Sequence, residues 1–85
     1  MAYLLVYSKR SAKDISKLDN LVKKKLKQAI EHKLLADPFE HSVKLKDFPI
    51  EDTRRLRVGN YRILFTISGK RVEILRVGHR RDIYR

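Results

Sequence analysis

Apolar positions along the 85 residues follow two rhythms, and the change from one to the other divides the chain. Residues 2–7, "AYLLVY", are continuously apolar and rich in strand formers, and the polar "SKR" follows, so a first strand is predicted there. From there the spacing becomes helical. Ser8 or Ser11 is placed to cap a helix, Ser11 with Asp14 fits a capping-box pattern, and Ala12, Ile15 and Leu18 fall on one face. Asp19-Asn20 breaks that pattern and caps a second helix. Its residues Val22, Leu26, Ala29, Ile30 and Leu34 keep to one side, with the "KKK" run and Lys27 mostly outside. Asp37-Pro38 stops it.

Beyond Pro38 the pattern loosens, with a possible short strand at "SVKLK" before "DFPIED". It then turns strictly alternating. In "RRLRVGNYRILF", residues 54–65, a two-residue turn at Gly59-Asn60 sets Val58 opposite Tyr61, Arg57 opposite Arg62 and Leu56 opposite Ile63. Leu56, Val58, Tyr61, Ile63, Phe65 and Ile67 then share a core face. Arg55, Arg57, Arg62, Leu64 and Thr66 share the other. Ser68-Gly69 turns the chain again, and "RVEILRV" returns as a last strand of mixed phase. Val72 and Ile74 fit one face, Leu75 and Val77 the other. Either a bulge or partial cover on both faces accounts for this. Gly78 is read as the end of that strand, and "HRRDIYR" as a tail folding back over the arginine face. The expected fold is α+β, a helical hairpin packed on a largely antiparallel sheet in the order β-α-α-β-β-β, forming a single domain over residues 1–85.

Charge sharpens the picture. Twenty-one Lys and Arg against ten Asp and Glu leave a net +11, which favours polyanionic partners: RNA, DNA, ribosomes, an acidic protein or an anionic membrane surface. Like charges paired across strands repel, so gathering arginines in one hairpin gives folding nothing. An anionic ligand explains it, because a guanidinium fork donates two hydrogen bonds to one phosphate. His79 stands beside the densest basic cluster, whereas His32 and His41 sit on a polar helix and in a loop.

Several chemistries are set aside. Without cysteine there is no disulfide frame and no thiolate zinc site. No HExxH, GxGxxG, Walker or GxSxG motif is present, and the acids are scattered, so neither metal nor cofactor is expected. No apolar run approaches the roughly 20 residues that cross a bilayer, and the N-terminal run reads as a strand and not as a signal peptide. A soluble cytoplasmic protein without a membrane partner is expected. Cutting RNA without metal is feasible, since the 2′-hydroxyl is a built-in nucleophile. The protein must orient it, take its proton, stabilise the phosphorane charge and protonate the leaving oxygen.

The hairpin "LRVGNYRILF", the following "VEILRVGHRRDIY" and the β-α-α-β-β-β order together resemble the RelE/ParE toxin superfamily, and more narrowly its RelE-like messenger-RNA interferases. The specific part is "R-x-R-V-G-x-Y-R" with "V-G-H-R-x-x-x-Y"; the helical half is generic. The resemblance implies a type II toxin that enters the ribosomal A site and cuts translated mRNA, and a cognate antitoxin, RelB-like or other, that wraps it with an acidic segment. It assigns catalytic roles to Arg62, Arg80 and Tyr84, with His79 as the motif histidine, and RNA or ribosome binding to Arg55 and Arg57; Arg81, beside them in the basic tail, is a further binding candidate. Relatives can carry lysines where Arg55 and Arg57 stand. Arginine, with a pKa above about 12, cannot serve as a general base, which leaves Tyr84, His79, a ribosomal group, or a lysine outside the motif such as Lys44 or Lys46. Lys44 and Lys46 are also candidates for binding RNA. The alternatives are a ParE-like inhibitor of DNA gyrase and a non-catalytic RNA or ribosome binder.

Overall fold

The structure, a computed structural model, describes residues 3–83. The chain runs β1 (Leu4–Tyr7), α1 (Lys9–Ser16), α2 (Asn20–Ala29), a wider π-helical turn (Ile30–Leu34), β2 (Val43–Lys44), β3 (Arg54–Val58), β4 (Tyr61–Ser68) and β5 (Arg71–His79). The strands form one sheet in the order β1-β5-β4-β3-β2. Only β1 is parallel to its neighbour, β5, because the α1–α2 hairpin and the later strands separate the two in sequence.

The helix starts follow their caps. Ser8, not Ser11, caps α1, its hydroxyl accepting from the Ser11 N–H at 3.0 Å; Ser11 returns its own hydroxyl to the Ser8 carbonyl. Asp14 is therefore free of the capping box and serves elsewhere. Asp19 caps α2 through the Val22 N–H. Leu26, Ile30 and Leu34 are buried against Leu56, Ile63, Phe65, Val72, Ile74 and Val77, with Ile15, Leu18 and Val22 packed at the margin. Ala12, the third residue of the expected α1 face, stays exposed.

The hairpin register is the expected one: Val58 pairs with Tyr61, Arg57 with Arg62, Leu56 with Ile63. Gly59 makes the turn at a φ of +58°, a conformation that costs a β-branched residue about 1–2 kcal/mol. Nothing lies within 4 Å of where its Cβ would stand, so the cost of Gly59→Val is purely conformational. That loss should appear as a lower urea midpoint at unchanged slope.

The last strand departs from expectation in two ways. It runs through Gly78 to His79 instead of ending at the glycine. Its mixed phase is resolved by a bulge: Leu64 pairs with Arg76 but Phe65 with Ile74, so Leu75 is the extra residue. The slip keeps Val72, Ile74 and Val77 in one core. It also reverses every side chain from Arg76 onward relative to strict alternation. The second turn sits at Gly69-Lys70, one residue later than expected, with Gly69 at a φ of +60°.

Candidate functional site

The helices cover one face of the sheet, and the other carries the arginines around Leu64, which is itself fully buried. On that open face Arg57 and Arg62 are cross-strand partners, and Arg55 lies beside Leu64. Arg57 is exposed and Arg55 partly buried. Among the described residues, the Nε of Arg55 is buried with no hydrogen-bond partner. Leaving such a donor unsatisfied costs on the order of 1–3 kcal/mol. Among the described residues, neither Arg55 nor Arg57 has an ion pair. Glu73, beside Thr66 on the same face, lies on the far side of Leu64.

Arg62 is different in kind. Its side chain is 8% exposed, and its Nη1 donates to the Gly59 carbonyl at 3.0 Å and the Tyr61 carbonyl at 3.1 Å. One edge of the guanidinium thus braces the hairpin turn, which fixes the orientation of the rest. Arg54, the fourth arginine of the hairpin, points the other way. It donates from Nε to the Ser42 hydroxyl and from Nη2 to the Ser42 and Phe39 carbonyls, and its guanidinium stands 5.4 Å over the Phe39 ring. It ties the 39–42 loop to β3.

The chain's last described turn closes one end of the open face. Its residues bond back to the strand: the Arg80 N–H donates to the Asn60 carbonyl, and the Asp82 and Ile83 N–H groups to the His79 carbonyl. Ile83 is buried, and its Cδ1 lies 3.4 Å from where a Gly78 Cβ would stand. Gly78 is the position across from Arg62, so the turn packed on it sits next to the arginines. A cavity of about 390 Å³ lies beside it, walled by Lys46, Phe48, Pro49, Arg76 and Ile83. Arg80 and Arg81 are exposed on this turn. Tyr84 lies outside the described residues, immediately after the anchored Ile83.

Two expected members stand elsewhere. The bulge carries His79 to the face opposite Arg57 and Arg62. There its ring meets Tyr61 edge-on at 5.5 Å and 80°, while its Nδ1 accepts from the Arg81 N–H. Lys44 pairs with Arg54 in register and so shares that arginine's side, where its Nζ lies 2.8 Å from Asp52. The hydrogen bond from Lys44, and then its charge, hold the Asp52 carboxyl below its ordinary range. Lys46, in contrast, reaches the cavity at the arginine face. The residue missed from sequence is Arg76, which the bulge turns outward.

On the helix side an apolar groove of about 380 Å³ runs between α1 and α2, lined by Tyr7, Ala12, Ile15, Leu26 and Ile30, with Lys23 and Lys27 alongside. Burial first, and the Glu31 carboxylate second, push the Tyr7 phenol above its ordinary pKa. Among the described residues no group of three His, Asp or Glu is placed to hold a metal ion, and no helix is long and apolar enough to cross a membrane.

This architecture, a helical hairpin on one face of the sheet and a basic opposite face, is that of the RelE/ParE toxins of type II toxin–antitoxin systems. The family model described as the ParE toxin of type II toxin-antitoxin system, parDE, matches residues 5–84, and the chain belongs to that family. Among solved structures, it is similar to a chain of the RelBE2 toxin–antitoxin complex of Mycobacterium tuberculosis. The TM-score is 0.84 at 25% identity, covering 93% of this chain and 99% of that one. The intact RelBE complex of E. coli matches with a TM-score of 0.69 at 29% identity, over 92% and 96% of the two chains. The chromosomal ParDE system of P. aeruginosa matches in fold, with a TM-score of 0.73 at 14% identity over 91% and 95%. A search of curated protein sequences finds no significant match.

Proposed function

We propose that this toxin is a ribosome-dependent endoribonuclease whose open sheet face grips and cuts translated mRNA. The observation that carries the reading is the convergence of Arg55, Arg57 and Arg62 on one face, where the buried Arg55 Nε has no partner among the described residues. Such an array suits a phosphate backbone. In the reaction, the 2′-oxygen of the message attacks the adjacent phosphorus, the bond to the 5′-oxygen breaks, and the departing 5′-oxygen takes a proton from water. The products are a 2′,3′-cyclic phosphate and a 5′-hydroxyl. Arg55 and Arg57 clamp flanking phosphates; Arg62 and Arg80 stabilise the charge that grows on the phosphorane. Tyr84, which lies outside the described residues, is the base assigned to the 2′-hydroxyl proton. His79, facing Tyr61, is left to shape the turn. Lys46 adds a cation to the cavity wall.

A cognate antitoxin neutralises the toxin. The helix-side groove, apolar within and flanked by Lys23 and Lys27, matches an amphipathic helix with acidic margins.

The reading is tested by adding the purified chain to a translating extract and, separately, to a DNA gyrase supercoiling assay. Cut messages and normal supercoiling are expected. Intact messages with blocked supercoiling would replace this reading with gyrase inhibition, and ribosome binding without either effect would make the chain a non-catalytic binder. Arg55→Gln and Arg57→Gln should each weaken binding to ribosomes and flatten its dependence on log salt by about 0.7–0.9, the share of one phosphate contact. Filter binding at several potassium concentrations measures this.

A further inference from the structure

The outer edge of β5 is paired by β1 only as far as Ile74, opposite Tyr7. Just beyond lies the bulge, where the strand has an extra residue and no neighbour on that side. Helix α1 takes over the pairing. The Ser8 hydroxyl donates to the Leu75 carbonyl at 3.0 Å, and Asp14 Oδ2 accepts from the Val77 N–H at 3.0 Å. The same carboxylate oxygen accepts from Arg76 Nε, also at 3.0 Å. One side chain on α1 therefore holds both the backbone after the bulge and the arginine within it.

The consequence is positional. With strict alternation Arg76 would share the face of Val72 and Ile74, inside the core; the bulge pairs it with Leu64 on the open face. Leu64 is in turn paired with Arg55, so Arg76 and Arg55 flank it, roughly 10 Å apart across two strand spacings. Arg76 also walls the cavity beside Lys46 and Ile83. Asp14 engages Nε alone, and among the described residues Arg76 has no other partner. The Nη edge remains available to an acceptor. The Asp14 and Arg76 side chains are only 14% and 22% exposed, so the pair is held in place and is not a loose surface contact.

We infer that Arg76 is a further RNA-phosphate contact of this site and that Asp14 is its positioning residue, acting through the Nε bond and the Val77 N–H. The inference rests on reading the open face as an RNA site. It extends the arginine row from β3 across to β5, so that the bound strand crosses the sheet instead of following the hairpin. Asp14, though acidic, then supports binding of an anion, because it fixes a cation that would otherwise sample many rotamers.

Binding of a short single-stranded RNA with a 2′-O-methyl backbone, which cannot be cut, isolates recognition from cleavage. Arg76→Gln should weaken binding about 5–10-fold and flatten the salt slope by about 0.7, whereas Lys24→Gln, a charge lost from the exposed side of α2, should leave the slope unchanged. Asp14→Asn should weaken binding about 2–4-fold, and the Asp14→Asn/Arg76→Gln pair should bind no worse than Arg76→Gln alone. Arg76→Lys should keep the slope yet lose the coupling to Asp14, since lysine has no Nε–H in that position. Circular dichroism melts of each variant show that the fold is retained. An unchanged slope in Arg76→Gln, or additive losses in the double variant, would overturn the inference. Cleavage of translated mRNA by the same proteins separates this from the wider reading. Arg76-dependent RNA binding by a wild-type chain that cuts nothing sinks the nuclease assignment and leaves Arg76 in place. Full cleavage by Arg76→Gln with an unchanged slope does the reverse.

Discussion

Arg62→Ala is expected to reduce mRNA cleavage by roughly 10²–10³-fold, the scale seen when one preorganised donor to a developing oxyanion is removed. The size follows from how the residue is held. Arg62 is nearly buried and braced on the Gly59 and Tyr61 carbonyls, so its guanidinium is held in place before charge builds on the phosphorane. The brace has a second effect: alanine leaves those two carbonyls without that donor and should lower stability by about 1–3 kcal/mol. Arg62→Lys separates the two roles. It restores a charge without the planar fork and should recover only a small part of the rate. Single-turnover cleavage on stalled ribosomes, beside a urea melt of each variant, makes the distinction. A variant as stable as Arg62→Ala that cuts at the wild-type rate would remove Arg62 from the reaction.

The largest expected loss of stability belongs to Phe65→Ala. Phe65 is fully buried on β4, between β3 and β5, and leads the buried side chains by volume. Truncating a buried phenylalanine removes its transfer free energy and leaves a cavity, together about 3–5 kcal/mol. A domain of this length has roughly 4–13 kcal/mol in total, so the variant should be partly unfolded at 37 °C. Leu21→Ala, at a leucine 81% exposed, should change stability by less than about 0.5 kcal/mol. Equal melts for the two variants would mean that the core is misplaced.

The β3–β4 hairpin was legible in the sequence to the residue, because a two-residue turn and strict alternation admit one register. The helices were equally plain from their Asp19 cap and apolar spacing. What escaped was the bulge at Leu75. A single slip in phase leaves the same residues apolar and merely changes which ones face inward, so composition carries no trace of it. That slip decided two of the differences that bear on the site. It moved His79 to Tyr61's side and brought Arg76 onto the arginine face. Lys44, expected to bind RNA, is instead held by Asp52 on the side of Arg54. Asp14 was invisible as a site residue for another reason. Its partner Arg76 lies 62 positions away, and no local pattern links an acid on a helix to a strand edge formed so much later.

The account stands on an arginine face that cuts RNA by means of the message's own 2′-hydroxyl. Its most direct test is a pair of otherwise identical messages translated in the presence of the toxin, one all-ribose and one with a single 2′-deoxynucleotide on the 5′ side of the mapped cut. Primer extension should show a strong stop on the first and background on the second. Equal cutting of both messages, or of neither, would contradict it.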